Sequence, residues 1–149
     1  MIRNLNVLSE NKIRIRKVLV HNLVKLLRSE LDFKINQLQI IFVDSSYIHA
    51  INKEYLKHDY STDIITFSYS EDKNIFDGEI YISVEDANQN SKKFKVDLNT
   101  EIIRLIIHGI LHLLGFDDID ENDKAKMKKV ENRLVKTYQK FDKQNIMVL

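Results

Sequence analysis

Apolar and polar positions along the chain follow two periods, which predict both strands and helices. Residues 2–8 alternate like an edge strand, and the continuous apolar run at 38–43 is typical of a buried central strand. Residues 64–69 and 79–84 predict two strands that flank a turn at 70–78 and form a hairpin. These four segments predict a small sheet.

Apolar residues at helical spacing occur in the remaining segments and predict helices there. Ser9 offers an N-cap for a helix over 10–31, where apolar residues recur every three or four positions. Further helices are predicted from Asp44 or Ser45 to Tyr55, over 85–94, from Asp97 or Asn99 to Gly115, and over 121–141. The order of elements favours an α+β fold with helices on one face of a mixed sheet of about four strands.

Composition narrows the class of protein. The chain has 149 residues, 44% apolar and 30% charged, which predicts a single domain over 1–149. It has no cysteine, so any metal site must use histidines and carboxylates. No apolar run approaches the length of about 20 residues that a membrane span needs, and we expect a cytoplasmic protein without membrane contact. The net charge of +1 means that an anionic partner would be met locally.

The segment 102–114 is almost entirely apolar and predicts a helix buried nearly all round. Its polar exceptions are Glu101, Arg104, His108 and His112, spaced by three, four and four residues. This spacing places them on one stripe of the helix. Because buried polar groups need partners, the stripe is the first candidate for chemistry.

His108 and His112 are four residues apart, so both imidazoles can reach one divalent cation. Gly115 can end the helix in a left-handed turn, from which Asp117 or Asp118 would supply a third ligand. Three protein ligands leave a fourth position for water, as catalytic zinc sites do. The alternative is that each histidine has its own buried partner and binds no metal.

The histidine spacing is also that of zinc proteases, with one difference. In those enzymes a glutamate follows the first histidine and acts as general base, and here Gly109 occupies that position. The pattern therefore favours a reaction that depends on the metal and a cationic group, such as phosphodiester cleavage.

Two motifs together resemble one known family. The segment His108-Gly-Ile-Leu-His-Leu-Leu-Gly-Phe-Asp-Asp118 is similar to the histidine signature of the YbeY rRNA maturation endoribonucleases. The block from Asn52 to Phe67, with Tyr55, Asp59, Thr62 and Asp63, and the strand Gly78–Ser83 resemble two further family motifs in the same order and spacing. The resemblance covers essentially the whole chain.

The resemblance implies a zinc-dependent, single-strand-specific endoribonuclease that matures the 3′ end of small-subunit rRNA and acts in ribosome quality control. Its implied partners are single-stranded RNA and the ribosome or its small subunit. The implied ligands of one Zn²⁺ per chain are His108, His112 and Asp118, where Asp118 replaces the third histidine of the family. Aspartate binds zinc, but its charge offsets part of the metal's, so we expect an altered pH dependence.

A second departure from the family is Leu56, where an arginine usually engages the substrate. The candidates for replacing that charge are Lys57, its neighbour, and Arg104, one turn before His108. The alternative for Arg104 is a pairing with Glu101 or another acid. Asp63 is a candidate for orienting a ligand histidine.

Two other functions remain open at this point. The first is a small metal-dependent peptidase or amidohydrolase, which the histidine spacing favours and Gly109 opposes. The second is a non-catalytic ribosome-assembly factor with a structural metal, whose lysine-rich helices dock on rRNA or a ribosomal protein. Leu56 favours this second alternative.

Overall fold

A four-stranded sheet flanked by helices forms the framework of the protein in a computed structural model that describes residues 1–10 and 12–148. Within those ranges the elements are β1 (Leu5–Ser9), α1 (Lys17–Leu31), β2 (Lys34–Val43), α2 (Ser45–Leu56), β3 (Ile64–Ser68), β4 (Ile75–Ser83), α3 (Val84–Lys93), α4 (Leu98–Leu113) and α5 (Glu121–Phe141). Among the helices so described, none combines the length and apolar character needed to cross a membrane.

The sheet is mixed, with its strands in the order β1-β2-β4-β3. β2 pairs in parallel with both β1 and β4, whereas β3 and β4 form the predicted antiparallel hairpin. The apolar run at 38–43 lies in β2, an inner strand, as its pattern predicts. β4 begins at Ile75, so the hairpin turn is shorter than predicted. The α+β fold with a four-stranded mixed sheet is confirmed.

Helices cover both faces of the sheet, so the prediction of one covered face is wrong. β2 sends Ile40 and Phe42 into the main core, to which α1, α4 and α5 contribute. The next residue of the strand, Val43, belongs to a second apolar cluster with Ile48 and Ile51 of α2. Because Ile41 and Val43 make the C-terminal end of β2 apolar on its second face as well, that end needs cover there, and α2 provides it on the face opposite the main core.

The first helix begins at Lys17 rather than at Glu10, where the pattern places it. The amide of Glu10 continues the pairing of β1 with β2, and its carboxylate accepts a hydrogen bond from the Asp44 amide at 2.7 Å. These long-range contacts outweigh the local N-cap that Ser9 offers. Asn11, which belongs to the predicted helix, lies outside the described residues.

Candidate metal centre

A polar stripe runs along α4, which is otherwise packed into the core. The carboxylate of Asp97 caps the helix by accepting an amide hydrogen of its first turn at 2.7 Å. Glu101 is buried, while Arg104, His108 and His112 are partly exposed. The four predicted side chains therefore lie along one surface of the helix, with the histidines at its C-terminal end.

Gly109 lets α4 lie directly against the sheet beside the histidine pair. A Cβ atom at this position would come within 3.0 Å of Ile80 and 3.1 Å of Ile64. A glutamate, which zinc proteases carry at this position, would need the Ile80 and Ile64 side chains to shift by a few tenths of an ångström. The close packing therefore opposes a protease-like general base here.

α4 ends in a left-handed turn at Gly115, whose φ is 98°. The amides of Gly115 and Phe116 each donate at 3.0 Å to a carbonyl in the last turn of the helix, which is the Schellman pattern. The turn brings Asp118 to the histidines, whereas the Asp117 carboxylate accepts a hydrogen bond from the amide two residues later at 3.4 Å. Of the two candidate acids, Asp118 joins the cluster.

Three possible ligand atoms converge at the end of α4. Nε2 of His108 lies 3.0 Å from Nε2 of His112, and Oδ2 of Asp118 lies 3.9 Å from the first nitrogen and 3.8 Å from the second. Two atoms bound to one tetrahedral zinc at about 2.0–2.1 Å are roughly 3.3 Å apart, and the observed separations bracket that distance. The cluster could therefore hold one divalent cation.

The outer nitrogen of His108 is held by an acid. Its Nδ1 lies 2.9 Å from Oε2 of Glu131 on α5, which leaves Nε2 facing the cluster. The two Nε2 atoms, 3.0 Å apart, share either a proton, as a hydrogen bond between the rings, or a metal ion. With the Asp118 carboxylate beside them, the two imidazole nitrogens form a donor set that fits a divalent cation.

Glu131 is the site residue that the sequence pattern did not identify. It is 7% exposed and lies between Met127 and Leu134 on the inward face of α5. An acid at three- and four-residue spacing from buried apolar residues is the signal that would have found it. The role of orienting a histidine was predicted for Asp63, whose carboxylate instead accepts a hydrogen bond from Asn90 at 2.9 Å.

The surroundings shift the pKa values of the two histidines in opposite directions. Burial disfavours the charged imidazole of His108, but the hydrogen bond and charge of Glu131 outweigh burial and raise the pKa of His108. Burial and the charge of His108 lower the pKa of His112. Burial also raises the pKa of the nearby Asp63 carboxyl. His112 thus favours the neutral form, in which a histidine binds metal.

Two cavities reach the histidine pair. The α5-side cavity, of about 370 Å³, lies against α4 and α5. Its ionisable lining residues are Asp63, Glu101, Arg104, His108, Asp118, Lys124, Lys128 and Glu131. The loop-side cavity, of about 270 Å³, is reached by His112 and lies against α2, β3 and the loop that joins them. The first cavity carries many charges, and the second is lined mostly by neutral side chains.

Arg104 lines the α5-side cavity and is paired there. Its Nη1 donates a hydrogen bond to Oδ1 of Asn132 at 2.6 Å and lies 3.9 Å from Oε1 of Glu131. Its acidic partner is therefore Glu131 rather than Glu101, and its guanidinium borders the same cavity as His108. This position is compatible with a contact to a substrate phosphate.

Lys57 lies in a different environment from Arg104. It is the C-cap residue of α2 in the left-handed conformation, and its Nζ donates to the Glu54 carbonyl at 3.2 Å. Its neighbours Leu56 and His58 line the loop-side cavity. The side chain of Lys57 is thus directed back to its own helix, and the structure brings Arg104 rather than Lys57 to the histidines.

Known proteins resemble this chain in both sequence and fold. The family model described as endoribonuclease YbeY matches residues 4–139. Relatives named endoribonuclease YbeY include one from Amoebophilus asiaticus, 39% identical over 113 residues (76% of this chain and 74% of the relative), and one from Chlorobium limicola, 35% identical over 128 residues (86% and 88%). The solution structure of a Thermotoga maritima protein matches with a TM-score of 0.66 and 26% identity, covering 91% of this chain and 89% of that one.

The matched range extends almost from the start of the chain into α5. It includes α4 with the histidine pair, the Gly115 turn and the carboxylate of Glu131. The resemblance inferred from the sequence motifs is thereby confirmed. The chain belongs to the YbeY family of endoribonucleases.

Proposed function

We propose that residues 1–149 act as one zinc-dependent endoribonuclease domain that cuts single-stranded ribosomal RNA in the cytoplasm. Its proposed tasks are maturation of the small-subunit rRNA 3′ end and ribosome quality control, with the ribosome or its small subunit as partner. Membership of the YbeY family supports the endoribonuclease activity. The convergence of His108, His112 and Asp118 supports dependence on a metal ion.

The observation that carries the proposal is the convergence of the two Nε2 atoms, 3.0 Å apart, with Oδ2 of Asp118, while Glu131 holds the outer nitrogen of His108. Two imidazoles and one carboxylate form a mixed nitrogen and oxygen donor set that suits zinc. One zinc per chain, held by His108, His112 and Asp118, is the assignment that we propose.

When bound, zinc supplies a Lewis acid that polarises phosphate oxygens or activates water. The protein supplies the orientation. Glu131 accepts the Nδ1 proton of His108 and so directs Nε2 toward the cluster. Arg104 lies beside the cluster, fixed by Asn132, where its guanidinium can stabilise the negative charge that develops on a phosphate.

The cationic side chains support an RNA substrate without providing strong affinity for it. Arg104, Lys124 and Lys128 line the α5-side cavity, but the net charge of the chain is only +1. A protein that neutralises few phosphates binds nucleic acid weakly at physiological salt. This low net charge fits selection of the cleavage site by the assembled ribosome better than selection by affinity for free RNA.

A non-catalytic assembly factor is the second candidate, because Leu56 takes the place of the family's usual arginine in the loop-side cavity. A peptidase has less support, since Gly109 stands where a glutamate base would be needed and a Cβ atom there would lie only 3.0 Å from Ile80 and 3.1 Å from Ile64. The assembly factor would bind ribosomal subunits but leave RNA intact.

A cleavage assay on defined RNA tests the proposal. An end-labelled single strand, the same strand annealed to its complement, and small ribosomal subunits are incubated with the zinc-loaded protein. We expect cleavage of the single strand, little cleavage of the duplex and faster cleavage in the subunit context. A cyclic phosphate at the new end would indicate attack by the 2′-hydroxyl, and its absence attack by water. Intact RNA in all three samples would contradict the enzyme and favour the assembly factor.

A further inference from the structure

Glu101 is a buried acid that the proposed reaction does not use. It is 4% exposed, lies in the first turn of α4 and lines the α5-side cavity. Among the described residues, no hydrogen-bond donor reaches its carboxylate, because the nearby Arg104 donates to Asn132 instead. Burial, together with the charge of Asp63, raises the pKa of Glu101 to about 7. This side chain therefore has unused acceptor capacity.

The free oxygens of Glu101 open into the α5-side cavity. Within the described part of the chain, no polar side-chain atom is fully enclosed without a hydrogen-bond partner. Since the carboxylate of Glu101 has no such partner, its oxygens keep access to the cavity that it lines. A carboxylate in this position accepts hydrogen bonds from a ligand that carries N–H groups.

An exposed aromatic ring borders the same cavity. Phe94, the C-cap residue of α3, is 59% exposed, and Val96 beside it is 36% exposed. The ammonium of Lys93 lies over this ring, 5.6 Å from its centroid, so a planar group would stack on the face that Lys93 leaves open or displace that side chain. The cavity thus combines a stacking surface at its rim with a carboxylate in its floor.

The distance from the cluster to Glu101 matches the length of a nucleotide. Seven residues of α-helix separate Glu101 from His108, which corresponds to about 10.5 Å along the axis. Arg104 lies between them on the same stripe and borders the same cavity. A phosphate held near His108 and Arg104 would therefore place its attached base within reach of Glu101.

We propose that the α5-side cavity is a guanine-selective base pocket, in which the base stacks on Phe94 and its Watson–Crick edge donates to Glu101. This inference rests on the proposed ribonuclease function and adds the specificity of the site. Guanine presents two adjacent N–H donors, one for each carboxylate oxygen, whereas adenine, cytosine and uracil place an acceptor next to each donor. Glu101 is thus a specificity residue for the nucleotide next to the scissile phosphate.

Binding of 5′-monophosphates to the full-length, zinc-loaded protein tests the pocket without requiring cleavage. Guanosine, adenosine, cytidine and uridine monophosphates are titrated by calorimetry at a pH of about 8, where the carboxyl group is ionised. We expect guanosine monophosphate to bind about tenfold more tightly than the other three. Glu101→Gln should abolish this preference, because an amide cannot accept two hydrogen bonds along one edge.

Two further variants separate base recognition from folding. Glu121→Gln removes an exposed acid in the first turn of α5 and should keep the preference for guanosine monophosphate. Phe94→Leu should weaken binding of all four nucleotides while keeping their order. Thermal unfolding of each variant shows whether a loss of nucleotide binding comes from misfolding. If Glu101→Gln is misfolded, the order of the four nucleotide affinities in the wild type and in Phe94→Leu tests the pocket instead.

The inference and the proposed function can fail separately. Equal binding of the four nucleotides by the wild-type protein, or an unchanged guanine preference in Glu101→Gln, would overturn the base pocket while leaving RNA cleavage possible. A guanine preference in a protein that cuts no RNA would support the pocket and contradict the ribonuclease. Cleavage sites on a random-sequence strand test the same preference in the reaction. We expect guanine to be enriched next to the cut with the wild type and not with Glu101→Gln.

Discussion

The two cavities that reach the histidine pair differ in what builds them. The α5-side cavity is lined by side chains of two long helices, and charges of both signs point into it. The loop-side cavity is formed by the end of α2, β3 and the loop between them, and the aliphatic side chain of Leu56 is part of its lining. Among the described residues that line the two cavities, lysine and arginine occur only in the α5-side lining.

This asymmetry indicates where a phosphate would be met. Arg104 is held by Asn132 and Glu131 on rigid helices, whereas Lys57 follows the end of α2 and turns toward Glu54. A charge held in place costs little reorganisation when a transition state forms beside it. The α5-side cavity should therefore supply the electrostatic stabilisation that the loop side lacks.

Among the variants that leave the metal cluster intact, the largest expected effect comes from removing the guanidinium of Arg104. Arg104→Ala should lower kcat for RNA cleavage by about 100-fold, the loss typical of one donor to developing charge. Lys57→Ala should change kcat little, since its ammonium group is directed away from the cluster. Steady-state kinetics on a short single strand measures both. Equal losses in the two variants would show that both cavities supply cations.

Weaker metal binding is expected when the acid behind His108 is neutralised. Glu131→Gln keeps the size of the side chain but removes the charge that Nδ1 of His108 faces at 2.9 Å. Zinc affinity should fall about 10- to 100-fold. Competition with a chromogenic chelator measures the change, and Glu121→Gln, an exposed acid at the start of the same helix, serves as control. Unchanged affinity would mean that Glu131 does not orient the ligand.

A smaller effect is expected from restoring a cation to the loop-side cavity. Leu56→Arg should raise kcat by up to about tenfold, because a guanidinium would enter the cavity that His112 reaches. The cleavage assay that compares Arg104 and Lys57 variants measures it. A gain would show that the site is otherwise complete, while a loss would indicate that Leu56 serves the packing of α2.

The smallest effect concerns stability and its pH dependence. The folded protein retains the Glu101 proton up to a pKa of about 7, against an ordinary value of 4.5, so this group destabilises the fold as pH rises through that window. Glu101→Gln should therefore stabilise the protein at a pH of about 8, by roughly 1–3 kcal/mol, and have no such effect at pH of about 4. Urea unfolding at both pH values measures the difference. A stabilisation that is the same at both would exclude ionisation as its cause.

The sequence predicts those parts of the molecule whose periodicity is strong and local. α4 and α5 follow from their apolar spacing, and the bounds of α5 are confirmed as predicted. The histidine pair follows from helical geometry, since a four-residue spacing always stacks two side chains. The left-handed turn at Gly115 follows from the conformational freedom of that residue.

Features that depend on distant contacts were not predictable in the same way. The start of α1 is set by the bond of Glu10 to the Asp44 amide, which lies 34 residues away in sequence. The position of Glu131 against His108 spans 23 residues and depends on how α5 packs on α4. The choice of Asp118 over Asp117 follows from the exact path of the turn after α4.

The metal content of the purified protein, measured with RNA cleavage on the same samples, tests the central claim most directly. Wild type and His49→Ala, which removes an exposed histidine paired with Asp59, should each contain about one zinc per chain and cut the single strand. His112→Ala should lose both the zinc and the activity, and Asp118→Ala should bind zinc more weakly and cut more slowly. Wild-type protein without metal, or His112→Ala that cuts RNA at the wild-type rate, would contradict the account.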